Sequence, residues 1–170
     1  MKRRYALLAL PILAAMPARA DDCATLFNMM IAQAATPYSA TVSMDGVGAM
    51  SGMRKTVFTG DTVYTQIDGK WKSMPMNAKE TTDMMREAQK TAKETCHLQG
   101  MDSVNGQPAQ LYVSHVENRG SVSDNKVWVA GSRVLKTDAQ IKGGMHVVMV
   151  FDYNNVTAPA GATPLTAPSH

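Results

Sequence analysis

Thioethers are the most distinctive reactive groups in this chain. Its 170 residues carry 14 methionines, against two tryptophans, five tyrosines and three phenylalanines. They recur in close pairs: Met29-Met30, Met50 with Met53, Met74 with Met76, Met84-Met85, and Met145 with Met149. A thioether is a soft ligand that selects Cu(I) or Ag(I). It is also a pliable apolar filler that repacks around varied ligands. Three uses therefore compete: ordinary core filling, the wall of an adaptable apolar cavity, and soft-metal binding. Pure core filling sits poorly with Met84-Met85, because neighbours on a helix with one narrow apolar stripe cannot both point into a core. The segment Trp71-x-x-Met74-x-Met76 is the candidate metal cluster.

Cys23 and Cys96 are the only cysteines. In an exported chain a pair of this kind is read as a disulfide, and C-x-x-C redox spacing is missing. Closing a loop of this length contributes roughly 4 kcal/mol in the chain-entropy picture. The histidines (His97, His115, His146 and His170) show no helical ligand spacing. No nucleophile elbow, zinc-protease helix, phosphate-binding glycine loop or EF-hand loop occurs. A non-enzymatic protein with no catalytic residues and no cofactor is expected.

Export is read from the first 20 residues. Lys2, Arg3 and Arg4 precede an apolar run over 7–16, which ends in Ala18-Arg19-Ala20, an A-x-A cleavage pattern. The apolar run is too short to span a bilayer. The formal charge of +3 is mostly a property of this leader. Four of the 17 basic residues (Lys2, Arg3, Arg4, Arg19) leave with it, so 13 face 14 acidic ones and the net becomes −1. A basic nucleic-acid footprint is thereby excluded. The expected product is a soluble periplasmic protein with one domain over 21–157 and a disordered tail over 158–170, rich in Ala, Pro and Thr.

These groups have to be positioned by local structure. Cys23, Phe27, Met30, Ile31 and Ala34 fall on one face of a helix that Asp22 can cap and Thr36-Pro37 ends. Tyr38, Ala40, Val42 and Met44 alternate with polar residues, as in a strand. Further strands are expected near 54–59, 62–67 and 70–74, the last two joined at Asp68-Gly69. Asn77 and Glu80 read as a capping box opening a helix to about residue 94, with Thr81, Met84, Met85, Ala88 and Ala92 as its stripe, to be buried on a sheet. Strands follow at 97–104 and 107–117 around Asn105-Gly106, then at 126–130, 133–141 and 145–153, with 118–125 read as polar turn. The last strand is apolar on both faces and should be central. Short connections make the sheet antiparallel. The fold class is α+β: a single curved antiparallel sheet, an incomplete β-barrel of about nine strands, with two helices covering its concave face.

Two resemblances bear on function. Trp71, Met74 and Met76 resemble the Trp, Met and Met spacing of the small periplasmic Cu(I)/Ag(I) chaperone of the copper-efflux system, over six residues only, with Val63 where that family has its histidine. A broader set is similar to the outer-membrane lipoprotein carrier (LolA/LolB-like) superfamily: the run from Val63 to Trp71 ending in Met74-Pro75-Met76, then Val104-Asn105-Gly106-Gln107-Pro108-Ala109, Val127-Trp128-Val129, and Phe151-Asp152-Tyr153-Asn154-Asn155-Val156. That resemblance implies an incomplete barrel plugged by helices over a hydrophobic ligand. The carrier's cavity arginine has no counterpart in context among Arg54, Arg86, Arg119 and Arg133, so lipoprotein sorting itself is not carried over. The expected partner is a hydrophobic small molecule, lipid or lipoprotein acyl chain. The expected cavity wall is Val42, Met44, Tyr64, Trp71, Met84, Met85, Trp128, Met149 and Phe151. The alternatives are a metal-binding protein using Trp71, Met74 and Met76, and an interaction module for an envelope protein.

Overall fold

A computed structural model of the protein describes residues 20–46 and 51–165. The expected leader lies outside these residues, Ala20 excepted, as do Met50 and residues 166–170 of the expected tail. Helix α1 (Ala20–Ala34) precedes four strands: β1 (Tyr38–Asp45), β2 (Gly52–Phe58), β3 (Thr62–Ile67) and β4 (Lys70–Pro75). Helix α2 (Ala78–Thr91) leads into β5 (Lys93–Val104), β6 (Gln107–Asn118), β7 (Ser121–Ala130), β8 (Arg133–Ile141) and β9 (Met145–Asp152), with a two-residue β10 (Thr163–Pro164) at the end. All ten form one open sheet in the order β10-β4-β3-β2-β1-β9-β8-β7-β6-β5. Among the described strands, the β10–β4 pairing alone is parallel. The expected α+β architecture is present, with one short strand added.

Two meanders, β1–β4 and β5–β9, join where β1 pairs with β9. The doubly apolar last strand is therefore central, as its pattern requires. Asp68-Gly69 and Asn105-Gly106 make the expected tight hairpins, with positive φ at both residues (50° and 75°; 51° and 82°). A third hairpin of the same kind is made by Arg119 (φ 47°) and Gly120 (φ 84°), where a longer polar turn was expected. The stretch Ser121 to Asn125 has no apolar alternation, yet it continues the ladder opposite Asn118 to Ser114. Backbone pairing, not side-chain pattern, extends this strand.

Asn77 caps α2 as expected, its Oδ1 accepting from the backbone N–H of Lys79 (2.9 Å) and Glu80 (3.2 Å). The helix stops at Thr91, short of residue 94, because Ala92 is already extended and Lys93 pairs with Glu117. Its stripe was expected to bury on the sheet. Instead α2 rests on α1, which already occupies that surface, and only Thr82 of α2 is fully buried. Asp22 is likewise inside α1 and does not cap it; its carboxylate accepts from the Leu98 N–H (3.1 Å) beside the β5 bulge. The expected tail is placed in part: Thr163 and Pro164 lie along Lys72 and Ser73, and the Leu165 N–H donates to the Ser73 carbonyl (2.8 Å). An edge strand offers unpaired backbone groups, and this segment covers some of those of β4.

Ladder partners share a face. Tyr38, Ala40, Val42 and Met44 thus face the same way as Met149 and Phe151, and as Thr137, Val127 and Tyr112 further along the sheet. This is the helix face. Its core is Leu26 of α1 against Cys96, Tyr112, Val127, Val129 and Val134. A smaller cluster of Val104, Ala109, Trp128 and Leu135 lies on the opposite, open face.

Candidate ligand cavity

The helix face is organised by the way α1 is tied down. Cys23 is bonded to Cys96 of β5, as the cysteine count suggested, with Cα atoms 5.0 Å apart. Asp22 adds its hydrogen bond to Leu98 at the same end. At the other end, the Tyr153 hydroxyl lies against Gln33 Oε1 and donates to the Val134 carbonyl (2.6 Å). Burial pushes the Tyr153 phenol up to about 12, so it remains a donor through the physiological range. With both ends fixed, α1 holds its middle residues at a set height over β5–β8.

Beneath that middle section is a cavity of about 300 Å³. Its roof is Leu26, Phe27 and Met30 of α1 and Met85 of α2. Its floor is the helix-face side of four strands: Glu94, Ser114, Val116, Asn125, Val127, Thr137 and Ala139, with Asp138 at the margin. Glu94 pairs with Val116, Ser114 with Asn125, and Asn125 with Ala139, so the ladder register itself assembles the floor. The volume is at the low end of small-molecule sites, which run from about 300 to 1,000 Å³. The lining is mainly aliphatic, aromatic and thioether, with a few polar groups. Asn125 donates to Ser114 Oγ (3.4 Å) and Ser123 Oγ (3.2 Å). Among the described residues no cation lies beside Glu94, and burial holds its carboxyl above the usual carboxylate range.

The expected wall residues are not gathered in one place. Met85 lines the cavity. Val42, Met44, Met149 and Phe151 share its face but belong to the neighbouring part of the sheet, where Phe151 meets the Tyr38 ring edge-on (centroids 5.1 Å apart) and packs on the core. Tyr64, Trp71 and Trp128 project from the open face, by their pairing with Ser73, Gln66 and Lys136. Met84 is 65% exposed on the outer side of α2. Phe27 and Met30, on the apolar stripe that spacing gives α1, join the wall from above. Of the floor residues, Ser114 and Val116 alternate along β6, while Val127 pairs with Thr137 and Asn125 with Ala139 across β7 and β8. Of the candidate metal residues, Trp71 and Met74 lie on opposite faces of β4. Residues three apart in a strand point to opposite faces, so Trp71 is on the open side while Met74, paired with Val63, is on the other and half exposed.

The open face holds two larger depressions of different character. One of about 610 Å³ runs from Trp71 and Lys55 to Val104, Gln107 and Leu135. Close to it Trp128 is committed structurally: its Nε1–H donates to Asp102 (2.7 Å), and the Lys136 ammonium sits 4.3 Å from its ring centroid. The other, of about 440 Å³, is walled mostly by residues with polar side chains, His97, His115, Asp124, Lys126 and Asp138 among them. Here His115 Nδ1 is 2.7 Å from Asp124 and its Nε2 is 3.6 Å from Glu117. His146 lies 2.8 Å from Asp138 and 4.0 Å from Asp45. Each imidazole is thus flanked by two carboxylates, with no hydroxyl or thiol hydrogen-bonded to either ring among the described residues. The helix-face cavity is the one that combines apolar lining with cover from two helices.

No family model matches the chain, and no curated protein matches it. Among solved structures, it is similar to lipoprotein LppX of Mycobacterium tuberculosis at 10% identity and a TM-score of 0.49, over 81% of this chain and 100% of that one. It is also similar to LprF from Mycobacterium bovis at 11% identity and a TM-score of 0.39, over 81% and 95% of the two chains. No helix among the described residues is long and apolar enough to cross a membrane.

Proposed function

We propose that this chain is an exported, non-enzymatic carrier or sensor of the periplasm, of LolA/LolB-like type, that binds a hydrophobic ligand such as a lipid or lipoprotein acyl chain. The reading rests chiefly on the apolar cavity held between α1, α2 and the floor of β5–β8. A leader-like N-terminus and the single Cys23–Cys96 disulfide fit an oxidising compartment. The four roof residues, Leu26, Phe27, Met30 and Met85, offer apolar contact without a fixed hydrogen-bonding pattern, which suits chains over rigid polar ligands. Native mass spectrometry of protein purified from cells should show a co-purified mass of lipid size. In Ala139→Phe, where a ring is placed in the cavity floor, that adduct should disappear while the protein remains folded. Wild type that is repeatedly free of adducts and does not take up added acyl chains would sink the proposal.

A further inference from the structure

Glu94 is the one ionisable group in the cavity floor without a partner. Its side chain shares the helix face with Val116 and lines the cavity. A carboxylate oxygen lies within 4.8 Å of both sulfurs of the Cys23–Cys96 disulfide, which closes one side and offers it no donor. The other acidic residue at the margin, Asp138, is engaged by His146 on the open face. Ser114 and Asn125 are engaged with one another. No cation or hydrogen-bond donor meets Glu94 among the described residues, and burial is the whole cause of its raised pKa. Half-buried, this carboxylate is only partly hydrated, so a counter-charge or a proton supplied from the cavity side would stabilise it.

We propose that the cavity selects a single-chain amphiphile with a cationic amine head, its ammonium on Glu94 and its tail among Phe27, Met30 and Met85. The assignment rests on the cavity being the ligand site, as proposed above. An ammonium gives Glu94 a charge-assisted hydrogen bond, the strongest kind available to it. A hydroxyl head gives a weaker neutral donor, and a carboxylate head is repelled.

The test is calorimetric titration of delipidated protein with decylammonium, decanol and decanoate at about pH 8, where carboxylates are ionised and alkylammonium remains charged. Decylammonium should bind about tenfold more tightly than decanol, the weight of one charge-assisted hydrogen bond. Decanoate should bind most weakly. Glu94→Gln should bring decylammonium to the level of decanol, removing the preference for the charged head. Ala139→Phe should abolish binding of all three. Equal affinities in wild type, or an ammonium preference that survives Glu94→Gln, would overturn the head-group assignment and leave the cavity reading in place. Binding of none of the three by wild type would remove the cavity reading, and this assignment with it.

Discussion

Single residues on the two faces of the sheet answer to different electrostatics. Glu94 is half-buried with its carboxyl pushed up by desolvation. A raised acid pKa means that the folded protein favours the protonated form, so the group destabilises the fold above that pKa and is neutral below the unfolded value. Glu94→Gln should therefore raise stability near neutrality by less than about 1 kcal/mol, since solvent screens a partly exposed group. The gain should vanish as the pH falls below about 4, and urea midpoints across that range would check it. A gain that persists at low pH would place its origin elsewhere. On the open face, Asp124 beside His115 holds the imidazolium above its ordinary pKa, with Glu117 assisting. The sign is the reverse of a depressed acid: this contact favours the fold below about pH 6.5 and is lost as the pH rises through the folded pKa. Asp124→Asn should lower the His115 titration midpoint measured by NMR. An unmoved midpoint would mean that the contact does not persist in solution.

At the scale of elements, α1 matters more than its length suggests. It rests on β5 and β8, carries α2, and supplies most of the cavity roof. A short helix of this kind is marginal alone and takes its stability from what it is fastened to. Removing the disulfide by Cys23→Ser with Cys96→Ser should cost about 2–4 kcal/mol in chemical denaturation. It should also speed amide exchange in α1 well beyond that in β6 or β7. Uniform acceleration throughout the chain would show that the helix and sheet open as one unit. The cap of α2 is a smaller lever. Asn77→Ala removes the acceptor for two N–H groups and should cost about 1 kcal/mol. Because α2 buries little, that loss should appear as fraying of its first turn in hydrogen exchange and leave the sheet unaffected.

For the whole molecule, the decisive feature is the route of the chain. Two meanders meet at β1 and β9, and α2 carries the chain from β4, near one sheet edge, to β5 at the other. Such a link has to pass over a face of the sheet, and the presence of α1 there turns the two helices into a stacked cover with space beneath.

The sequence by itself determined a good deal of this. Alternation at Tyr38 to Met44, the Asp68-Gly69 and Asn105-Gly106 turns, the Asn77 cap and the two-sided apolar pattern of β9 are local signals, set by the geometry of a few consecutive residues, and they appear where expected. The cysteine pair was legible because two cysteines allow one intramolecular pairing. Tertiary structure alone decided which residues share a space. The wall expected from Tyr64, Trp71 and Trp128 divides across the sheet because side-chain direction in a strand reverses at each residue, and the register that fixes the buried face is set by pairing partners distant in sequence. The meeting of Met30 and Met85 with Val127 and Ala139, and the isolation of Glu94 among them, depend on how two helices stack over four strands. No periodicity within any one of those segments encodes that arrangement.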